Sequence, residues 1–342
     1  MKKIGVLTGG GDCPGLNSVI RAVVRSAIKE GYKVVGLKNG WKGLIENDSI
    51  DLNIAAVSGI LPKGGTILGT SRTNPYKKQG DKDKAKENFK RLGLEALIVI
   101  GGEDTLGVAS KLYKEGLNVV GAPKTIDNDI SCTDVTFGFD TAINIATEAI
   151  DRLHTTAESH NRIMVVEVMG RHAGWIAIEA GIAGGADVIL IPEVPIDISS
   201  VCELLKKRHA RGKSFSIIVA AEGARFKKSD LVKQEEKLDA FGHSRLGGIG
   251  HILGEEIEKR TGFETRVTVL GHIQRGGTPT AFDRVLGTRF GVKAMRLALE
   301  KDYGKMVALK GNKIIAVPLE EAVRELKTVD MELYDIAKIF FG

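Results

Sequence analysis

IGVLTGGGDCPGLNSVIRAVVRSAIKEGY, residues 4–32, is the stretch that decides the fold. It opens on a short apolar run, IGVLT at 4–8, and passes through a glycine-rich turn. It continues as NSVIRAVVRSAIKEGY at 17–32, where apolar residues recur at helical spacing and Gly31 closes the helix. The same alternation recurs down the chain. YKVVGL at 32–37, ALIVIGG at 96–102, NVVGAP at 118–123, IMVVEVMG at 163–170, DVILIP at 187–192 and SIIVAAEG at 216–223 are Val- and Ile-rich runs set between amphipathic stretches. Such runs read as strands buried on both faces of a parallel sheet. Strand alternating with helix predicts an α/β, doubly wound architecture with mainly parallel sheets. With 342 residues there is room for two lobes, each with its own core, and no Pro- or Ser-rich linker divides them. Crossovers of the chain are therefore expected to join them. Segment 224–265 is the least strand-like and reads as a loop followed by the helix HILGEEIEKRTG.

A formal charge of +6 suits an anionic partner, but no run of five or six consecutive Lys or Arg marks a nucleic-acid tail. Small phosphorylated substrates explain the charge better. Cys13, Cys132 and Cys202 are odd in number and widely spaced, which argues against a disulfide framework or a zinc site and for a reducing, cytoplasmic setting. The N-terminal MKKIGVLTGGGD lacks the apolar core of a signal peptide, and no span of about twenty apolar residues predicts a membrane helix.

In doubly wound sheets ligands bind beyond the carboxyl ends of the strands, so the residues just after each apolar run are the places to look. The first run leads into TGGGDCPGLN at 8–17, whose glycines let backbone N–H groups approach a phosphate at a helix N-terminus. No Gly-Lys-Ser/Thr follows, so this is not a Walker loop; the plain alternative is tight packing. The run at 96–100 leads into GGEDTLG at 101–107, with carboxylates Glu103 and Asp104. Mg²⁺ takes one or two carboxylates plus phosphate oxygens, so Glu103 is a candidate ligand; the alternative is an acidic first turn favoured by the helix dipole. APKTIDNDISCTD at 122–134 sets Asp127 and Asp129 two residues apart, close behind Lys124. One acid can accept a proton from an attacking hydroxyl, the other can help place metal, and the ammonium can stabilise a leaving phosphate. An Asx-type turn is the simpler account.

TGGGDCPGLN, GGEDT, PKTIDND, NRIMVVEVMGRHAG at 161–174, AAEG at 220–223 and ETRVTVLGHIQRGGTPTAFDR at 264–284 together closely resemble the bacterial phosphofructokinases over nearly the whole chain. The resemblance implies a donor-binding lobe over 1–138 plus about 275–328, a fructose 6-phosphate-binding lobe over 139–274, a C-terminal helix over 329–342, and an active site in the cleft between lobes. It implies Asp127 as general base, with Thr125 and Asp129 shaping the same turn, and Arg171 beside the transferring phosphoryl group. Met169 and Gly170 would contact the sugar, Glu222 its hydroxyls, and Arg162, Arg266, His272 and Arg275 the 6-phosphate. In the family Arg162 and Arg266 reach in from a neighbouring subunit, which implies a homodimer or homotetramer with shared active sites. Gly10, Gly11, Arg72 and Thr105 match donor-phosphate positions, and Trp41 stands where relatives often have a tyrosine lining the donor site, unless it is a core aromatic. Arg21, Arg25, Arg211 and Lys213 match basic positions that allosteric relatives use for a nucleotide or phosphoenolpyruvate effector; a solvated helix face plus a basic loop is the simpler account.

The resemblance is to the pyrophosphate-dependent, mixed-substrate group. ATP-using relatives generally have glycine where this chain has Asp104 and Lys124. A carboxylate at 104 would crowd and repel a nucleotide α-phosphate, at a cost of about 4 kcal/mol for like charges roughly 4 Å apart in an effective dielectric of about 20. Lys124 would instead receive the smaller donor and favour orthophosphate as leaving group. The activity implied is Mg²⁺-dependent, reversible phosphoryl transfer from pyrophosphate to the 1-hydroxyl of fructose 6-phosphate, giving fructose 1,6-bisphosphate. The alternatives are ATP as donor, or a non-catalytic sugar-phosphate sensor or regulatory subunit.

Overall fold

β1 (Lys3–Thr8) carries the run IGVLT and is buried from Ile4 onward. The chain turns at Gly15, which has φ +102°, and enters α1 (Leu16–Lys29). The helix ends in a Schellman closure: the amide of Gly31, at φ +75°, donates to the Ile28 carbonyl and that of Tyr32 to the Ala27 carbonyl. There follow β2 (Lys33–Leu37), α2 (Trp41–Glu46), β3 (Ser49–Leu52), α3 (Asp81–Arg91), β4 (Leu94–Gly101), α4 (Glu103–Lys114) and β5 (Val119–Pro123). Next come α5 (Phe139–His160), β6 (Ile163–Val168), α6 (Trp175–Ala183), β7 (Val188–Leu190), α7 (Ile198–Ala210), β8 (Ser216–Ala221), and the two-residue antiparallel pair β9 (Lys237–Leu238) and β10 (Ser244–Arg245). The chain finishes with α8 (Ile249–Thr261), β11 (Thr265–Val269), a 3₁₀ turn over Gly271–Arg275, α9 (Ala281–Leu299), β12 (Lys305–Lys310), β13 (Lys313–Pro318), α10 (Leu319–Ala322) and α11 (Met331–Lys338). The computed structural model describes residues 2–227, 237–238, 244–245 and 247–342.

The chain divides into two units. The first comprises Met1–Ile126, Ile130–Thr141 and Arg275–Leu326; the second comprises Asp127–Asp129, Ala142–Gln274 and Lys327–Gly342. In the first, a seven-stranded sheet runs β13-β12-β5-β4-β1-β2-β3, parallel from β12 to β2 and antiparallel at both edges. Its core gathers Leu7, Leu37, Leu97, Val99 and Leu106, together with Trp41. Trp41 is thus a core aromatic, and the sequence-based idea that it lines a donor site gives way to packing. α1 lies close against α9 because Gly287 and Gly291 face it; a Cβ at Gly291 would come 2.6 Å from the Val19 carbonyl oxygen. The second unit holds an all-parallel sheet, β11-β6-β8-β7, over a core that includes Val165, Leu190, Ile218 and Leu253.

All seven apolar runs carry strands in parallel pairings. Six further strands went unread. β3 is a four-residue edge, β9 and β10 are two-residue strands inside the segment read as loop, β11 alternates Thr and Arg with Val, and β12 and β13 form a hairpin near the C-terminus. The helix expected late in 224–265 is α8; of the loop expected before it, residues 228–236, 239–243 and 246 lie outside the described residues. Among the described residues no helix is long and apolar enough to cross a membrane, and the three cysteines are free thiols.

Within the first unit one carboxylate holds the segments that end at Thr141 and resume at Arg275. Asp283, fully buried in the first turn of α9, accepts the amides of Gly138 and Thr141, both at 2.9 Å, and the Thr141 hydroxyl at 2.5 Å. It therefore caps α5, whose first amides would otherwise lack acceptors. The Thr280 amide donates to Thr141 Oγ1 at 3.1 Å, closing the clasp. Burial pushes the Asp283 carboxyl up to about 6, against the pull of those donors. Replacing Asp283→Ala should cost about 3 kcal/mol in urea unfolding, because buried donors lose their acceptor. With the folded-state value above the unfolded one, the stability this group confers is fully present below about pH 4 and falls as pH rises through about 6. The gap between parent and Asp283→Ala should therefore be wider at acid than at neutral pH; a gap independent of pH would contradict the assignment.

Candidate active site

Two sets of side chains emerge, one on each unit. In the first unit the carboxyl ends of β1, β4 and β5 converge, where strand order reverses around β1. The glycine turn is stitched on both sides. The Gly9 amide donates to the Ile100 carbonyl at 2.9 Å and the Gly10 amide to the Ser71 carbonyl at 3.1 Å, while the Thr70 hydroxyl donates to the Gly10 carbonyl at 2.6 Å. This last contact brings the segment carrying Arg72, which is exposed, alongside the turn. Thr105, buried in the first turn of α4, fills the space that side chains at Gly9 and Gly101 would need, with an added Cβ at 2.7 Å and 2.4 Å respectively. The glycines at 9 and 101 are thus required for α4 to approach the strands, and Thr105 acts as the wedge between them.

Two cations meet this turn. Lys124, 3 % exposed, donates from its amide to the Gly101 carbonyl at 2.9 Å and from its ammonium to the Gly11 carbonyl. Arg275 donates to the Asp12 carbonyl at 3.2 Å, and a Cβ at Gly11 would lie 2.7 Å from its guanidinium. Arg275, expected with the sugar-phosphate set, is therefore found against the glycine turn of the first unit. Glu103 and Asp104 are exposed on the first turn of α4, where the helix dipole favours negative charge. Thr125, buried, accepts the Thr136 hydroxyl at its carbonyl, 2.8 Å away.

In the second unit β6 ends at Val168 and the chain makes a tight turn through Met169, Gly170 and Arg171. Gly170 has φ +144°, and a Cβ there would meet the Ala173 carbonyl oxygen at 2.6 Å. Arg171 is left-handed at φ +53°, a conformation costing a non-glycine residue about 1 kcal/mol or more. Its amide donates to Glu222 Oε1 at 3.1 Å, and Gly223 packs so closely that a Cβ would lie 1.8 Å from the Arg171 carbonyl oxygen. Strain at the arginine is thus held by a carboxylate and a glycine at the end of β8. Burial raises the Glu222 carboxyl above the usual carboxylate range; the Arg171 amide opposes this, and the charge of Asp127 pushes the same way as burial. Asp127, 4 % exposed, belongs to a buried turn with Asn128 and Asp129, grouped with this unit.

Arg162 and Arg266 stand apart from these groups. Arg162 immediately precedes β6 and Arg266 pairs with Met164 early in that strand. Met169 follows the other end of the strand, roughly 20 Å away at about 3.3 Å per residue. Both arginines pair with Glu264, Arg162 at 2.8 Å, and Arg162 is the chief cause of the depressed Glu264 carboxyl. His272 is exposed in the 3₁₀ turn. Residues that motif reading missed support the rest. Gln274, fully buried, accepts the Met169 amide at 2.8 Å, and Glu193 accepts the Gly174 amide at 3.0 Å at the start of α6. Gln274 lay in plain view within HIQRGG, but an uncharged side chain acting on a backbone amide carries no signature of its own.

The phosphofructokinase family profile matches residues 3–298. A pyrophosphate--fructose 6-phosphate 1-phosphotransferase of Streptomyces coelicolor is 60% identical over 342 residues, covering 99% of this chain and 100% of that protein. An ATP-dependent 6-phosphofructokinase of Mycobacterium tuberculosis (strain H37Rv) is 57% identical over the same extents. The crystal structure of Pichia pastoris phosphofructokinase in the T-state superposes with a TM-score of 0.84 at 36% identity, across 99% of this chain and 38% of that one. With its strand order, glycine turns and motif residues disposed as described, the chain belongs to the phosphofructokinase family.

Proposed function

We propose that this chain is a cytoplasmic enzyme that reversibly transfers a phosphoryl group from magnesium pyrophosphate to the 1-hydroxyl of fructose 6-phosphate, giving fructose 1,6-bisphosphate and orthophosphate. The observation that carries the donor assignment is a buried ammonium, Lys124, fixed on the glycine turn of a unit whose α4 exposes the Asp104 carboxylate in its first turn. The ammonium favours a compact, highly charged donor and its orthophosphate leaving group, while Asp104 disfavours the extra phosphate of a nucleotide. The naming of the Streptomyces relative supports the same donor. Gly10, Gly11, Arg72 and Thr105 would complete the donor site.

In the reaction Asp127 would take the proton of the 1-hydroxyl as that oxygen attacks phosphorus. The bond from phosphorus to the bridging oxygen breaks and orthophosphate departs with the electron pair. Lys124 and Arg171 would stabilise the charge gathered on the oxygens, Arg171 from a backbone already held in its working conformation. Met169, Gly170 and Glu222 would orient the sugar, His272 would meet its 6-phosphate, and Arg275 would reach phosphate from the glycine turn. Glu103 and Asp129 would hold magnesium, which when bound neutralises phosphate charge. The exposure of Glu103 suits a cation that keeps most of its waters and takes only one or two carboxylates. Pyrophosphate and the sugar 1-phosphate have similar transfer potential, so the reaction should run near equilibrium. Arg162 and Arg266, at the far end of β6 from Met169, are proposed to serve the 6-phosphate site of a neighbouring subunit in a homodimer or homotetramer.

ATP as donor is a second reading, favoured by the name of the Mycobacterium relative. With fructose 6-phosphate and magnesium, kcat/KM for pyrophosphate should exceed that for ATP by about 100-fold or more; a clear preference for ATP would refute the donor assignment. The double exchange Asp104→Gly with Lys124→Gly should weaken pyrophosphate use. Asp127→Asn should lower kcat by about 1,000-fold in a folded protein, and undiminished turnover would remove Asp127 as base. For shared sites, inactive Arg162→Ala and Asp127→Asn chains should recover about a quarter of parental activity when mixed and reassembled as dimers; no recovery would mean that each site is built from one chain.

A further inference from the structure

We infer that Lys327 is a positioning residue for catalysis, bracing the turn Asp127-Asn128-Asp129 so that the Asp127 carboxylate is held in one orientation. The inference rests on the reading of Asp127 as the base. All the residues concerned lie in the second unit. The main-chain amide of Lys327 donates to the Asp129 carbonyl at 2.9 Å, and its ammonium donates to Asn128 Oδ1 at 3.0 Å. Two successive residues of the turn are therefore gripped by one residue, once through backbone and once through a charge-assisted bond. Asn128 is left-handed at φ 52° and 2 % exposed, so its side chain must be satisfied inside the protein.

Lys327 is itself held from the other side. Its carbonyl accepts the Trp175 indole N–H at 2.9 Å, and its ammonium lies 5.1 Å from the centre of the Trp175 ring, within cation–π range. Trp175 opens α6 directly after the loop that carries Arg171. One residue earlier the Gly174 amide binds Glu193, and the same Glu193 oxygen accepts the Val329 amide at 2.9 Å. Residues 327–329 thus tie the turn bearing the base to the loop bearing the arginine, through a segment far away in sequence. Without the ammonium the backbone anchor survives. The turn should still form, yet with the charge-assisted hold of Lys327 on Asn128 lost, and a small misplacement of a catalytic group is costly.

The test is steady-state kinetics and thermal unfolding of Lys327→Met, which keeps an apolar chain on Trp175, of Lys327→Arg, which keeps the charge, and of Trp175→Phe, which removes the indole donor. Lys327→Met should lower kcat by about tenfold to 100-fold, with KM for fructose 6-phosphate and the unfolding midpoint little changed. Lys327→Arg should restore most of kcat, and Trp175→Phe should show a smaller loss of the same kind. Parental kcat in Lys327→Met, alongside an inactive Asp127→Asn, would overturn the bracing role while leaving the base in place. A loss in Lys327→Met matched by a lowered midpoint and not restored by arginine would also overturn it. Full turnover by Asp127→Asn would instead remove the base, and the inference with it.

Discussion

A lysine ammonium buried against the carbonyl of a glycine turn is the constraint around which the first unit is arranged. A charge 3 % exposed has lost most of its water, so dipoles or anions must replace that water. Lys124 finds one such dipole at Gly11, and the turn can offer it only because Gly9 and Gly101 let Thr105 wedge between β1 and β4. A phosphate reaching this place would meet a cation already oriented and partly desolvated. Little reorganisation would then be needed at the moment of reaction, and that is the condition under which electrostatic stabilisation is strongest. Arg275, on Asp12 in the same unit, adds a second positive centre.

The second unit works through backbone. Arg171 occupies a left-handed conformation that its own side chain disfavours; Gly170 and Gly223 leave room for it and Glu222 secures its amide. Gln274 fixes the Met169 amide in the same loop. Burial raises the Glu222 carboxyl above the usual carboxylate range, and the charge of Asp127 pushes it the same way.

Much of this was legible in the sequence, because parallel strands buried on both faces announce themselves as unbroken Val/Ile runs. The seven runs between 4 and 223 mark the ladder that carries both sites. What escaped obeys weaker rules. β3 and β11 lie at sheet edges and alternate polar with apolar residues over four or five positions, too briefly to set a period. The charged candidates could be picked out by type and motif. Their supports could not: Gln274, Glu193 and Lys327 act on backbone amides and carbonyls that only the folded chain brings near. Trp41 shows the converse limit, since an aromatic beside a glycine turn reads equally well as site or core, and packing decided for core.

The most direct measurement starts from product. Fructose 1,6-bisphosphate, magnesium and orthophosphate are incubated with the protein in the absence of any nucleotide, and phosphorus NMR follows the signals. If the desolvated ammonium receives pyrophosphate as proposed, the mixture should convert to fructose 6-phosphate and pyrophosphate. If pyrophosphate never appears and the bisphosphate is consumed only after ADP is added, the account of the donor site is wrong.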